Sequence, residues 1–347
     1  MTDYFEVHAR DGAARRGELR LADPMETPAL VDGSVDDAGS LWAGEREVPH
    51  GYREILTVLP HRSFPAGTDE AVQEAFAVEY PDVDFPSAAV VTSDTAADHG
   101  ADAYILSNAQ GFVGHAAAFR DELIAAREAL PPDTAIYLSG VATPRNAATL
   151  VYAGVDLLDA KRARVRGLEG FYLTREDECF LADLTELPCS CPACRGKRTV
   201  ADVDPDVDAA ADARADPAVF DREDCADHNE YALQSELATI RRRIREGRLR
   251  DYIEWQARHS QWLTAAFREF DDEYEYLEER TPVVRDAELA AATEDTLRRV
   301  EIQRFAERVT TRYRSRFSNP LVLVPCSATK PYSDSQSHEQ FHDAIQY

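Results

Sequence analysis

Three cysteines fall within six residues, Cys189-Ser190-Cys191-Pro192-Ala193-Cys194, and His228 follows after a 33-residue gap. Three thiolates and one imidazole complete a tetrahedral Zn²⁺ site with no open position, the arrangement of a structural rather than a catalytic metal. The C-x-C-x-x-C spacing holds three ligands on one turn, and a distant fourth ligand ties the following helix to it. Cys225, three residues before His228, is an alternative fourth ligand. So many thiols in so short a stretch argue for a metal in a reducing compartment, not a disulfide framework.

A second concentration of reactive groups is Pro325-Cys326-Ser327-Ala328-Thr329-Lys330-Pro331-Tyr332-Ser333-Asp334-Ser335-Gln336-Ser337-His338. It gathers a thiol, an amine, hydroxyls and an imidazole behind an apolar run, 321–324, that reads as a buried strand. Lysine occurs only at 161, 197 and 330 in this chain, against 35 arginines. A lysine can shift its pKa where an arginine cannot, so its presence here is chemically meaningful.

The elements that must position these groups are mixed α/β. Runs at 88–92, 103–106, 135–138 and 155–158 read as buried strands, with helices at 117–129 and 145–153 between them. That alternation predicts parallel βα units. An Asp- and Pro-rich stretch, 201–230, carries nine Asp and two Glu against Arg214 and Arg222 and reads as a solvated loop inserted into the metal site. Helical patterning is expected over 229–246, after an Asp227 N-cap, then over 251–279 and 286–315.

The chain carries 64 acidic and 38 basic residues, a net charge of −26. Arginine in place of lysine together with excess Asp and Glu suits a salt-in cytosol of the haloarchaeal kind, where molar salt screens the self-repulsion. Local basic segments are then more informative than the net charge. Arg241, Arg242, Arg243, Arg245, Arg248 and Arg250 form one; Arg298 to Arg316, including Arg312 and Arg314, forms another. Both are candidate RNA contacts, by direct Arg–phosphate pairing. No apolar run approaches the roughly 20 residues that span a bilayer, and the N-terminus lacks a signal-peptide pattern, so a cytoplasmic protein is expected.

With the distant His228-Asn229 and its helix, the cysteine motif resembles the zinc subdomain of the tRNA-guanine transglycosylases. Phe5-Glu6-Val7, Asp11-Gly12, Arg15-Arg16-Gly17-Glu18-Leu19 and Glu26-Thr27-Pro28-Ala29-Leu30 are similar to that family's N-terminus, and Gly154-Val155-Asp156-Leu157-Leu158-Asp159 to the strand bearing its nucleophilic aspartate. The family's other catalytic motif, Asp-Ser-Gly-x-aromatic-Gln, has no counterpart. Ser93-Asp94-Thr95 and Asn108-Ala109-Gln110-Gly111-Phe112 are the nearest fragments. A full eight-stranded barrel takes ~250 residues, and too few lie between Val31 and Gly154. The resemblance therefore implies a degenerate or incomplete TIM-barrel-like domain in which Asp159 is vestigial.

The 325–338 segment resembles the signature of the archaeosine synthases at every fixed position, Pro-Cys-Ser-x-x-Lys-Pro-Tyr-x-x-Ser-x-Ser-His. The combined resemblance implies a transglycosylase-like domain over 1–280 with its zinc subdomain at about 179–275, a helical linker over 281–316, and over 317–347 the truncated start of a second α/β domain. It implies a transferase acting on 7-cyano-7-deazaguanine in the tRNA D-loop, with lysine or glutamine as nitrogen donor. A radical-SAM partner subunit and a homo-oligomer are further expected associations. Attack on a nitrile needs a neutral amine and a proton donor for the imine nitrogen. His338 would carry the proton, Ser333, Ser335 and Ser337 would bind the nitrile nitrogen or the donor, Lys330 would orient a carboxylate, and Cys326 would form a transient thioimidate. Two other functions are open to this sequence: a working transglycosylase, and a non-catalytic zinc- and RNA-binding subunit. The latter is suggested by the chain's ending nine residues after His338.

Overall fold

The computed structural model describes residues 2–65, 67–200, 218–312, 314–316, 322–327 and 331–346. An antiparallel sheet of β1 (Phe5–Asp11), β2 (Ala14–Leu19) and β3 (Met25–Thr27) comes first. Seven parallel strands follow: β4 (Ala29–Leu30), β5 (Val35–Asp37), β6 (Leu56–Val58), β7 (Ser87–Val91), β8 (Ala103–Leu106), β9 (Ala135–Leu138) and β10 (Leu157–Leu158). Their spatial order is β4-β10-β9-β8-β7-β6-β5. The two edge strands are thus consecutive in sequence. Laid flat, six inter-strand spacings would separate them by about 29 Å. The five steps from Leu30 to Val35 reach at most roughly 18 Å. The sheet must therefore curl, and it forms an incomplete α/β barrel, as the sequence implies.

Period-2 alternation sorts the strands' side chains between two cores. Ala88, Val90, Ala103, Ala135, Tyr137 and Leu157 fill the inside. Ala89, Val91, Tyr104, Leu106, Ile136, Leu138 and Leu158 face the helices. Burial on both faces is why these strands read as unbroken apolar runs. The shortness of the domain falls largely on the crossovers. No helix joins β5 to β6 or β7 to β8, whereas α1 (Glu70–Ala75) follows β6, α2 (Ala109–Phe112) and α3 (Ala116–Ala129) follow β8, and α4 (Ala147–Tyr152) follows β9. The β1–β3 sheet seals the strands' N-terminal ends. Buried Arg15 donates from Nε to Asp156 at 3.0 Å and from its two terminal nitrogens to the carbonyls of Pro132 and Thr134, each at 2.8 Å.

After β10 come α5 (Lys161–Leu168) and, beyond the metal segment, the long helix α6 (Arg222–Arg245). They cross so closely that a Cβ on Gly167 would stand 2.4 Å from the Ala226 backbone, so only glycine fits. Helix α6 starts seven residues earlier than its hydrophobic pattern suggests. Asp221 caps it, accepting from Asp224 N at 3.0 Å while the Asp224 carboxylate accepts from Asp221 N at 3.2 Å. This reciprocal capping box satisfies donors that Asp227 was expected to serve; Asp227 instead pairs with Arg164 at 2.7 Å. The end of the acidic stretch is therefore helix, and 201–217 lies outside the described residues.

Helices α7 (Leu249–Gln256), α8 (Gln261–Asp272) and α9 (Tyr274–Arg280) cover the outer core. Phe119 of α3 packs edge-on against Phe270 of α8, with centroids 5.6 Å apart. The helix expected over 286–315 is interrupted: 286–293 is irregular, then come a 3₁₀ turn (Glu294–Arg298), α10 (Val300–Glu307) and a π turn (Arg308–Arg312). Asp295 is pinned by Arg268 at 2.8 Å, and buried Arg299 pairs with Asp251, so this part is tied to the barrel's helices. The strand expected over 321–324 is not there. Val322, Leu323 and Val324 are exposed without a ladder, because an apolar run becomes a strand only when a neighbour supplies hydrogen bonds; Leu321 lies outside the described residues. Helix α11 (Gln336–Gln346) ends the described chain. Among the described residues no helix is long and apolar enough to cross a membrane.

Candidate functional site

The metal segment is bracketed by two short ladders, β11 (Phe171–Leu173) with β12 (Glu178–Phe180) and β13 (Thr199–Val200) with β14 (Val219–Phe220). The ligand atoms of Cys189, Cys191, Cys194 and His228 all lie within 4.8 Å of one another. His228 Nδ1 is 3.5 Å from Cys191 Sγ and 3.4 Å from Cys194 Sγ, and the two sulfurs are 3.5 Å apart. Tetrahedral Zn²⁺ with Zn–S near 2.3 Å and Zn–N near 2.0 Å sets such separations at roughly 3.5–3.8 Å, so the cluster fits a metal of that size. Burial lowers His228 to about 4, which keeps the imidazole neutral and able to ligate. Cys225 is not in the cluster; its Sγ points to the Phe171 carbonyl oxygen at 3.4 Å. Of the two candidates, His228 lies with the three cysteines and Cys225 lies apart from them.

Around this cluster lie supporting residues, of which only Asn229 was marked in the sequence. His228 Nε2 donates to the Leu173 carbonyl at 3.0 Å, fixing the tautomer that leaves Nδ1 for the metal. The Tyr172 ring stacks on His228 at 3.8 Å and 12°. Asn229 accepts from Leu173 N at 2.8 Å and donates to the Ala163 carbonyl at 3.0 Å, joining α5, β11 and α6.

Asp159 sits just past β10, at the barrel's C-terminal mouth, and is 1% exposed. Its carboxylate accepts from Tyr137 Oη at 2.8 Å, Ser139 Oγ at 2.6 Å, Gly140 N at 2.9 Å and Lys161 N at 3.2 Å. Burial and the adjacent carboxylate raise Tyr137, which keeps its hydroxyl a donor. Gly140 has φ 72°, a left-handed conformation that favours glycine, and from it the backbone N–H reaches Asp159. A carboxylate holding four donors is well stabilised and poorly disposed to attack.

Two cavities open beside this carboxylate, sharing Gln110, Ser139 and Lys161 on their walls. The one inside the barrel mouth measures about 450 Å³ and also meets Asp37, His61 and Asn108. The other, about 940 Å³, runs out toward the metal segment and carries Arg145, Lys161, Arg162 and Arg166 against the single acid Glu178. In a chain of net charge −26, a concave wall of this sign stands out. The fragment Asn108-Ala109-Gln110-Gly111-Phe112, weak as a motif, lies at this mouth.

In the second motif, Ser335 is buried and its Oγ donates to Ser327 Oγ at 2.8 Å and lies 3.0 Å from Ser337 Oγ. His338 donates from Nε2 to the Pro325 carbonyl at 3.0 Å and stacks on Tyr332 at 4.3 Å. Three hydroxyls and the imidazole are thus held at one turn. Ser333 turns instead to Asp334 at 2.9 Å, Cys326 is exposed, and Lys330 lies outside the described residues.

The arginine segments do not form one continuous patch. Arg241 donates to the Pro28 carbonyl at 2.6 Å, and Arg242 pairs with Glu246 at 3.0 Å, as does Arg243 at 3.6 Å. Arg245 and Arg314 face solvent, as does Arg312, which lies 3.4 Å from Glu307.

A curled parallel barrel with a Cys₃His cluster and a carboxylate at its mouth is the architecture of the transglycosylase-like proteins. Residues 89–261 match the family model described as queuine tRNA-ribosyltransferase, and residues 302–347 match a domain of unknown function, DUF5591. The chain is 65% identical over its whole length to an archaeosine synthase of Haloferax volcanii, covering 56% of that protein. It is 38% identical, over 98% of its length, to an archaeosine synthase subunit alpha of Methanosarcina acetivorans, covering 57% of it. Over 64% of its length it is 29% identical to a tRNA-guanine(15) transglycosylase of Pyrococcus abyssi. The chain belongs to the tRNA-guanine transglycosylase-like superfamily and, within it, is similar to the archaeosine synthases. It spans little more than half the length of those two synthase relatives.

Proposed function

We propose that the chain works as a tRNA-modifying transferase of archaeosine biosynthesis, adding an amine from lysine, or a glutamine-derived nitrogen, to the nitrile of 7-cyano-7-deazaguanine already in the tRNA D-loop. The observation that carries this reading is the state of Asp159. With its carboxylate buried under Tyr137, Ser139 and Gly140, the nucleophile that base exchange requires is withdrawn. The barrel keeps a basic cavity suited to a phosphate backbone. The chemistry passes to the 326–338 segment.

In that step the amine nitrogen bonds to the nitrile carbon, one C≡N π bond opens, and the amine proton moves to the former nitrile nitrogen, leaving an amidine. His338 carries the proton, Ser335 and Ser337 hold the nitrile nitrogen or the donor, and Lys330 orients the donor's carboxylate. Where the exposed Cys326 takes part, its thiol adds first to the nitrile as a transient thioimidate, and the amine then attacks that carbon and expels the thiol, giving the same amidine. Zinc at Cys189, Cys191, Cys194 and His228 holds α6 against β11 and takes no part in the reaction. A radical-SAM partner then releases the final base. Domain limits near 280 and 316 follow from the same reading.

The test incubates the chain at molar KCl with tRNA bearing the cyano base, plus lysine or glutamine, and weighs the nucleosides by mass spectrometry. A lysine or nitrogen adduct is expected. Uptake of free cyano base into unmodified tRNA would instead make the protein a transglycosylase, and binding without either product would make it a scaffold.

A further inference from the structure

A third cavity, about 340 Å³, lies away from both the barrel mouth and the second motif, between α7 and the irregular 285–293 stretch. Trp255 forms one wall. It is 50% exposed, and its indole stands edge-on to the buried Tyr252 ring, 5.2 Å away at 90°, which fixes its orientation. Across from it the chain offers only Ala290, Ala292 and Thr293, so the opening is a slot bounded by an aromatic ring and small side chains. Three guanidinium groups rim it, each sharing its charge with a carboxylate: Arg243, 5.6 Å from the Tyr252 ring centroid, with Glu246 at 3.6 Å, Arg248, 40% exposed, with Asp251 at 3.4 Å, and Arg258, 33% exposed, with Asp295. Asp251 and Glu254 also line it, Asp251 engaged by Arg299 and Arg248 and Glu254 by Arg250, so a phosphate entering the slot competes with Asp251 for Arg248.

An exposed, rigid aromatic ring beside arginines is the means by which proteins hold an unpaired base and its phosphate. The slot's volume suits one nucleotide. Its neighbour on the same helix, Gln256, donates to the Arg145 carbonyl at 2.8 Å, and Arg145 lines the basic cavity at the barrel. Slot and basic cavity therefore flank one helix. We infer that the slot formed by Trp255, Arg243, Arg248 and Arg258 binds a single splayed-out nucleotide of an RNA strand, the base stacking on Trp255 and the phosphate meeting the arginines. This rests on the reading that RNA is the substrate, and it makes α7 a second RNA contact outside the transfer site.

The experiment titrates the full chain, in molar KCl, with a single-stranded oligoribonucleotide, a duplex of the same sequence and a nucleoside monophosphate, following tryptophan fluorescence. The single strand is expected to quench wild type and to bind it more tightly than the other two ligands. Trp255→Ala should weaken single-strand binding on the order of tenfold or more, while Trp255→Phe, which keeps a stacking face, should retain most of the affinity and lose the quench. Equal binding by Trp255→Ala, equal binding of duplex or mononucleotide, or no quench of wild type each overturns the slot. Nucleoside products measured on the same variants separate the two readings. Wild-type turnover with an indifferent Trp255 removes the slot alone, whereas Trp255-dependent binding without any product removes the transferase reading and leaves the slot.

Discussion

His228 donates from Nε2 to the carbonyl oxygen of Leu173 at 3.0 Å, and this bond decides which ring nitrogen faces the thiols. Burial pushes the Cys191 and Cys194 thiols above their ordinary range, so a cation bound among them would be what makes them thiolates. The protein should therefore hold one equivalent of zinc by elemental analysis. Cys191→Ser and His228→Ala should each lose it, and chelation should cost several kcal/mol of stability, read as a fall in thermal midpoint. A zinc-free protein of unchanged midpoint would refute the structural role.

The Asp159 carboxylate answers to a different measurement. Asp159→Asn places an amide against the Gly140 N–H and two hydroxyls, and about 1.5–3 kcal/mol of stability should be lost with the charged hydrogen bonds. Wild type should form no covalent adduct with tRNA on a denaturing gel. An adduct that disappears in Asp159→Asn would show a nucleophile still at work.

For the second motif, Lys330→Ala, Ser335→Ala and His338→Ala should each cut the lysine or nitrogen adduct at least tenfold while leaving zinc content and thermal midpoint unchanged. Unaltered product yield in all three would remove 326–338 from the chemistry.

Glu236 gives a pH signature. It is buried against the Tyr252 hydroxyl at 2.6 Å, and burial raises it to about 7 from 4.5. The folded state thus holds a proton that the unfolded chain releases. The stability this confers is full below about 4.5 and is lost as pH rises through about 7. Glu236→Gln keeps an acceptor for Tyr252 and carries no charge. Its thermal midpoint should vary less between these limits, and at pH 8 its folding free energy should exceed that of wild type by about 1–3 kcal/mol. Parallel profiles for the two proteins would rule this out.

Sequence by itself determined that three cysteines gather at one point, because their spacing is local and one turn suffices to gather them. It also determined the parallel strands, because burial on both faces leaves an unbroken apolar run, and it placed Asp159 at a strand end. Which fourth side chain joins the cysteines was decided only in three dimensions. Cys225 and His228 are three residues apart on one helix and share a face, so nothing but the docking of α6 on β11 selects between a thiol turned to Phe171 and an imidazole turned to the cysteines. The Asp159 carboxylate is likewise held by residues 19 to 22 positions away, which meet it only because β9 and β10 are neighbours in the curled sheet. The arginine segment shows the same limit. Net charge along a helix is a sum over its sequence, but whether Arg241 or Arg248 is available to a ligand depends on which carbonyls and carboxylates the fold brings within reach.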